Sequence, residues 1–305
     1  MALNELISKY LQYCKNNKRL DDHTVKAYMI DLKQFSNHFN GTEINDISVQ
    51  DIESYISILH SSFKPKTVKR KLASFKAFYH YLEYKDILYS NPFSKIKTKF
   101  REPITLPKTI PLSSIEAILQ AAYEERINGT TLRRRENSLR DVAMLELLFA
   151  TGMRISELCS LTPDSVDLLN HVVLIHGKGS KERIIQIENP MTLSALNNYY
   201  NRFYEAIKKC NSFFANKNGT PLSDQSARRI IRRYTELASV NQHITPHMFR
   251  HTFASSLLDA GVDIRYIQEL LGHSSISVTQ IYTHVSLSKQ KEILVTKHPR
   301  NQFKI

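Results

Sequence analysis

The chain has few cysteines, no long apolar run and a shortage of acidic residues, and each lack excludes something. Its three cysteines, Cys14, Cys159 and Cys210, stand far apart and form no CxxC pair. Neither a thiolate zinc site nor a disulfide framework is therefore indicated, and a reducing compartment fits. Cys159 lies in an apolar helical stretch and reads as a small core residue. No apolar run approaches the ~20 residues that cross a bilayer. Met1 to Leu20 is amphipathic and charged, with none of the apolar core of an export signal. The expected location is the cytoplasm, without a membrane partner. Asp plus Glu number 29 against 42 Lys plus Arg, a net charge of +13. That imbalance favours a polyanionic partner, because neutralised phosphates release condensed counterions. The motifs hold no Asp/Glu cluster of metal-binding type, so neither a catalytic metal nor another cofactor is expected.

What is present suffices for two cores: 305 residues, 42% hydrophobic and 10% aromatic. The pattern predicts a mainly α protein with a small β-hairpin or sheet. Residues 1–93 form a helical domain, 94–111 a basic linker and 112–305 a second domain. Four helices are expected in the first. One carries Leu3, Leu6, Ile7, Tyr10, Leu11 and Cys14 at helical spacing. A second is capped by Asp21 or Asp22 and ended by Gly41, a third is capped by Ser48, and a fourth is opened by Pro65. Lys64, Lys66, Lys69, Arg70 and Lys71 crowd the start of that fourth helix. A run of this kind is commonly a solvated face, but the positive helix N-terminus adds to the same field. Lys66, Lys69, Arg70 and Lys71 are thus candidate phosphate contacts.

In the second domain, Ser113 or Ser114 is expected to cap a helix through Ala122, with a loop over 128–138. A buried helix over 139–149 and another from about Ser156 follow. The runs 171–176 and 183–188 read as a hairpin around Gly177-Lys178-Gly179. Helices are expected over 190–209, 223–238, 246–259, 263–271, 276–284 and 287–296. Arg228, Arg229, Arg232 and Arg233 recur on one of them with few acidic neighbours, so Arg228, Arg229 and Arg232 are candidate DNA contacts.

Three segments carry chemistry: Ala150-Thr151-Gly152-Met153-Arg154-Ile155-Ser156-Glu157-Leu158, His247-Met248-Phe249-Arg250-His251-Thr252-Phe253-Ala254 and Leu271-Gly272-His273, with Tyr282 nine residues beyond His273. An arginine presents a planar fork to phosphate and keeps its charge. Glu157 can hold Arg154 in place. His247 and Arg250, spaced i, i+3, share a helix face that begins at Pro246 with Thr245 as cap. His251 and Phe253 read as packing or support. A glycine ending a helix leaves His273 projecting. Tyr282 is a poor nucleophile at its ordinary pKa near 10 unless positive neighbours favour the phenolate. Lys178, between glycines at a hairpin tip, can approach a backbone and donate a proton. Two arginines, two histidines and a tyrosine in this order suggest one task, holding a phosphodiester while a tyrosine oxygen attacks it.

Taken together, TGMRISEL, HMFRHTFA, LGHSSISVTQIYTHV and the closing Lys297-His298-Pro299-Arg300 resemble the tyrosine recombinase (integrase) family, its Xer-like and transposon or phage members in particular. The resemblance covers nearly the whole chain. It implies an N-terminal helical, SAM-like core-binding domain and a catalytic domain. It further implies that Arg154 and Arg250 clamp the scissile phosphate, with His247 and His273 completing the clamp. Lys178 would be the general acid, and Tyr282 would form a 3′-phosphotyrosyl bond without ATP or metal. The implied partners are a double-stranded recombination site and further protomers, four around two duplexes, with room for a second recombinase or a DNA-bending accessory protein. The short apolar patch Ile293, Leu294 and Val295 would dock in a neighbouring protomer or pack in cis. Residues 123–139 look longer than the matching piece of compact Xer proteins, and no arm-binding domain is evident before residue 1. The first favours a mobile-element or phage integrase over Xer-type chromosome dimer resolution, and the second a simple site with no distant arm sites. A type IB topoisomerase, a catalytically silent DNA-binding protein on the same fold and a metal-dependent nuclease are the competing readings.

Overall fold

The computed structural model describes residues 3–96, 100, 108–177, 182–272 and 287–303, with the backbone alone for 287–290. Two compact units emerge, Met1–Thr105 and Leu106–Ile305, each with its own core.

The first unit is helical: α1 (Leu3–Asn16), α2 (Asp22–His38), α3 (Val49–Ser62) and α4 (Pro65–Tyr84). Its starts follow local capping chemistry. The Asp21 carboxylate accepts from the Thr24 N–H at 2.8 Å, Ser48 and Asp51 form a reciprocal capping box, and Pro65 sits at the first turn of α4. The α2 helix closes at His38 with Phe39 as cap, ahead of the expected Gly41, which takes φ +83° in the turn that follows. Aromatic rings fill the core, Phe35 against Phe75 at 5.0 Å and Tyr10 against Phe78 at 5.4 Å between centroids.

One expected phosphate contact is corrected here. Lys71 is buried, and its Nζ donates to Asp31 Oδ1 at 3.1 Å and to Gln34. The reason is periodicity. Residues 68, 71, 72 and 75 share the buried face of α4, whereas Lys66, Lys69 and Arg70 are exposed. Asp31, wholly buried on α2, is paired by Lys71 and by Arg70.

Part of the expected linker belongs to the cores. Ile96 is buried in the first, while Ile110 is buried in the second, where its N–H donates to Thr252 Oγ1 at 2.8 Å.

The second unit runs α5 (Leu112–Asn128), α6 (Leu132–Thr151), α7 (Ile155–Cys159), β1 (Val166–Asp167), β2 (Val172–His176), β3 (Glu182–Gln186), α8 (Pro190–Cys210), α9 (Asp224–Leu237), α10 (Pro246–Asp259), α11 (Ile264–Leu271) and α12 (Leu287–Lys297). The strands form one antiparallel sheet in the order β1-β2-β3, with Val173 opposite Ile185. The α6 helix, wholly buried from Arg140 onward, lies between α5, α8 and α10. Pro111 occupies the cap position of α5, so Ser113 and Ser114 fall in its first turn. The loop expected over 128–138 is helical apart from 129–131: α5 runs on to Asn128, and Thr131 caps α6 by accepting from the Arg134 N–H at 3.2 Å. Arg133, Arg134 and Arg135 are exposed in the first turn of α6, where polarity reflects solvent and arginine is a good helix former.

The chain's end is locked into this core. Arg300, 1% exposed, pairs with the fully buried Glu146 at 2.7 Å, and the same carboxylate accepts from Tyr123 Oη and Thr192 Oγ1, both at 2.9 Å. His298 Nε2 meets the Ala150 carbonyl at 3.0 Å, while its Nδ1 accepts from the Arg300 N–H at 2.9 Å, which fixes the neutral Nε2–H tautomer. Ile293 and Leu294 pack in cis on the core of their own unit.

Candidate active site

The site is built where two helices end. Gly152 ends α6 and Gly272 ends α11, both left-handed at φ +58° and +64°. Gly152 is doubly constrained, because a Cβ there would lie 2.5 Å from Phe253 and 3.1 Å from Leu271. Helix ends leave carbonyls without intrahelical partners and carry partial negative charge. Two arginines occupy them. Arg250, buried on α10, donates through Nη1 to the Gly152 carbonyl at 3.0 Å and through Nη2 to the Leu271 carbonyl. Arg183, on β3, donates through Nε to the Leu270 carbonyl at 2.9 Å.

Glu157 organises the rest. Buried on α7, it accepts from Arg154 Nη1 at 2.7 Å, from the Arg154 N–H at 2.9 Å and from Arg183 Nη2 at 2.7 Å. Burial pushes its carboxyl up, but the hydrogen bonds from Arg183 and Arg154 outweigh this and hold it below the usual range. The pairing with Arg154 was foreseen. Arg183 was not, since a single arginine in an amphipathic strand carries no local signal.

Arg154 acts on Arg250. Burial first, then the charge of Arg154, push the Arg250 guanidinium down to about 10, so it stays protonated at neutral pH. The two hydrogen bonds described use two of its five donors. His247 is exposed in the first turn of α10 and feels the same field. Partial desolvation, then Arg228, His251, Arg250 and Arg154, lower its pKa below 6.5 and keep the ring neutral at neutral pH. Thr245 holds the cap position without a side-chain cap bond. Phe253 is fully buried, as its packing role requires, whereas His251 is exposed on the His247 face. Neighbouring cations that lower the proton affinity of Arg250 and His247 mark a place where an anion is stabilised.

Lys178, His273 and Tyr282 lie outside the described residues, as does the helix expected over 276–284. On α9, Arg228 and Arg229 are exposed, and Arg232 pairs with Glu236 at 2.8 Å. Arg233 pairs with Glu125 of α5 and lies 3.9 Å from Asp141 of α6. Acidic partners are therefore more numerous than the local sequence suggested, because two of them come from other helices. Among the described residues no group of three or more His, Cys, Asp or Glu is arranged to hold a metal ion, and no helix is long and apolar enough to cross a membrane.

The profile of the phage integrase family matches residues 109–289, and that of the phage integrase N-terminal SAM-like domain matches 7–85. The chain belongs to the phage integrase family. It is 58% identical to a tyrosine recombinase of Agathobacter rectalis over 97% of both chains. It is 35% identical to the tyrosine recombinase XerC of Myxococcus xanthus over 98% of this chain and 99% of that one. A lambda integrase tetramer bound to a Holliday junction shares the fold, with a TM-score of 0.70 at 15% identity over 92% of this chain and 80% of that one. The mainly helical architecture with its small sheet and SAM-like N-terminal unit is that of an integrase, and the chain is a tyrosine-type site-specific DNA recombinase.

Proposed function

We propose that Arg154, Lys178, His247, Arg250, His273 and Tyr282 carry the strand transfer. Arg154 and Arg250 hold the non-bridging oxygens of the scissile phosphate, with His247 and His273 completing the cradle. The Tyr282 Oη attacks phosphorus, its proton passes to His247, and the bond from phosphorus to the 5′ oxygen breaks. Lys178 donates the proton that this leaving oxygen needs. The product is a 3′-phosphotyrosyl bond and a free 5′-hydroxyl. The 5′-hydroxyl of a partner strand reverses the step, and the phosphodiester energy is conserved without ATP. The transition state carries extra negative charge, so preorganised cations dominate the rate. The observation that carries this reading is the pair Arg154 and Arg250, from the N-cap of α7 and from α10, with Arg154 acting electrostatically on Arg250 and both acting on His247.

Lys66, Lys69, Arg70, Arg228, Arg229 and Arg232 then steer and hold the duplex backbone, four protomers act on two duplexes, and the reaction takes place in the cytoplasm. A second recombinase or a DNA-bending protein remains a compatible partner. The relatives named XerC favour Xer-type exchange as the biological role. The stretch 123–139, which looks long for a compact Xer protein, weighs the other way. Integration and excision of a mobile element is the second reading, motivated by that segment's length. Recombination between two site-bearing duplexes, in EDTA and without ATP, tests the chemistry. Tyr282→Phe is expected to keep DNA binding and lose all exchange. Full exchange by that variant would overturn the assignment, and binding without exchange by the wild-type protein would support a silent DNA-binding protein.

A further inference from the structure

A cavity of about 640 Å³ opens in the second unit between α6, α9 and the turn at 216–218. Five of its eleven lining residues are cations, Arg133, Arg140, Lys217, Arg229 and Arg233, and no carboxylate lines it. Three of the five are already balanced from behind. Arg140 is buried and held by Asp141 and by Asn216, each at 2.7 Å; Lys217 pairs with Glu136, and Arg233 with Glu125. The other two, Arg133 and Arg229, are exposed and have no acidic partner among the described residues; Arg229 donates only to Ser226 Oγ, at 3.1 Å. The cavity thus presents two uncompensated guanidinium forks, with the Asn137 and Asn218 side chains beside them as further donors.

We propose that this cavity is a second phosphate site, which takes backbone phosphates of the DNA held at Arg154 and Arg250. This rests on the recombinase reading above. The link between the two places is α9. Arg228 on that helix lies close enough to His247 to lower its pKa, and the next residue, Arg229, lines the cavity. Consecutive residues point about 100° apart around a helix ~10–12 Å across, so α9 has one flank toward His247 and another toward the cavity. A duplex strand carries a charge every ~3.4 Å of axis, so DNA seated at His247 also offers phosphates one helix width away. Contacts of this kind position the duplex and carry no sequence information. The exposed first turn of α6 becomes part of the DNA-binding surface through Arg133.

Binding of the full chain to mixed-sequence duplex DNA, measured by anisotropy against salt, tests the site. Each phosphate contact contributes about 0.9 to the slope of log K against log salt. Arg133→Gln is expected to flatten the slope by about 0.9 and Arg133→Gln/Arg229→Gln by about 1.8, with Arg133→Lys near wild type. Far-UV circular dichroism and Tm establish that these variants are folded. Wild-type slopes in both Gln variants would overturn the proposal. The free-phosphate alternative would be indicated if inorganic phosphate raised the Tm of the wild-type protein but not of the double variant, with DNA slopes unchanged; that also overturns the backbone assignment. Failure of the recombinase reading shows separately, as wild-type protein that forms no covalent adduct on nicked DNA.

Discussion

At the scale of single residues the account rests on charge. Replacing Arg154 or Arg250 with Ala removes a cation that the transition state needs, and the rate of covalent adduct formation should fall on the order of 10²–10³. Glu157→Gln tests positioning: it leaves both arginines but loosens the carboxylate that holds Arg154 and Arg183. It should lower the single-turnover rate at saturating DNA, while Glu157→Asp recovers part of it. The pH profile tests His247. Its lowered pKa means that it is neutral at neutral pH, able to accept the tyrosine proton, and loses that ability as pH falls. Single-turnover rates at sub-saturating DNA report the free protein, so the acid limb should lie below pH 6.5 and vanish in His247→Asn. An acid limb retained in that variant would assign the base elsewhere. Some of these residues were legible in the sequence, because motif order and helical spacing bring His247 and Arg250 onto one helix face. Arg183 and the burial of Lys71 were not. The first depends on a strand meeting the end of α11, and the second on which α4 residues meet α2.

At the scale of elements, α4 divides its cations between two tasks. Lys71→Ala removes one of the two cations paired with buried Asp31, so it should lower Tm with little change in the salt dependence of DNA binding. Lys66→Ala and Lys69→Ala should do the reverse, which a paired melting and anisotropy series would reveal. The C-terminal turn is held by a buried ion pair, and Glu146→Ala strands the Arg300 charge at a cost of about 3–5 kcal/mol in unfolding experiments. His298 adds a pH dependence. Burial, against the backbone carbonyls of Ala150 and Phe149, pushes its pKa from 6.5 to about 4. The unfolded chain therefore binds the proton first, so this contribution is complete above pH 6.5 and is lost as pH falls toward 4, on the order of 3 kcal/mol. Denaturant unfolding across that range should show the loss, and a His298→Asn protein should show less of it. Helix starts were readable from Asp21, Ser48, Pro65 and Pro246, since capping is local. The continuation of α5 and the start of α6 were missed because an exposed polar turn of helix and a polar loop share a composition.

At the scale of the whole molecule, two cores and a strongly basic surface were evident from hydrophobic periodicity and a net charge of +13. The sites at which DNA is read were not, since groove contacts depend on which side chains reach base edges. The central claim concerns a covalent bond. Nicked suicide duplexes of random sequence, in EDTA and without ATP, trap any protein joined to a DNA 3′ end, and peptide mass spectrometry locates the bond. A 3′-phosphotyrosyl linkage at Tyr282, absent from Tyr282→Phe, is the predicted result. A linkage at another residue, or an adduct that persists in Tyr282→Phe, would contradict it.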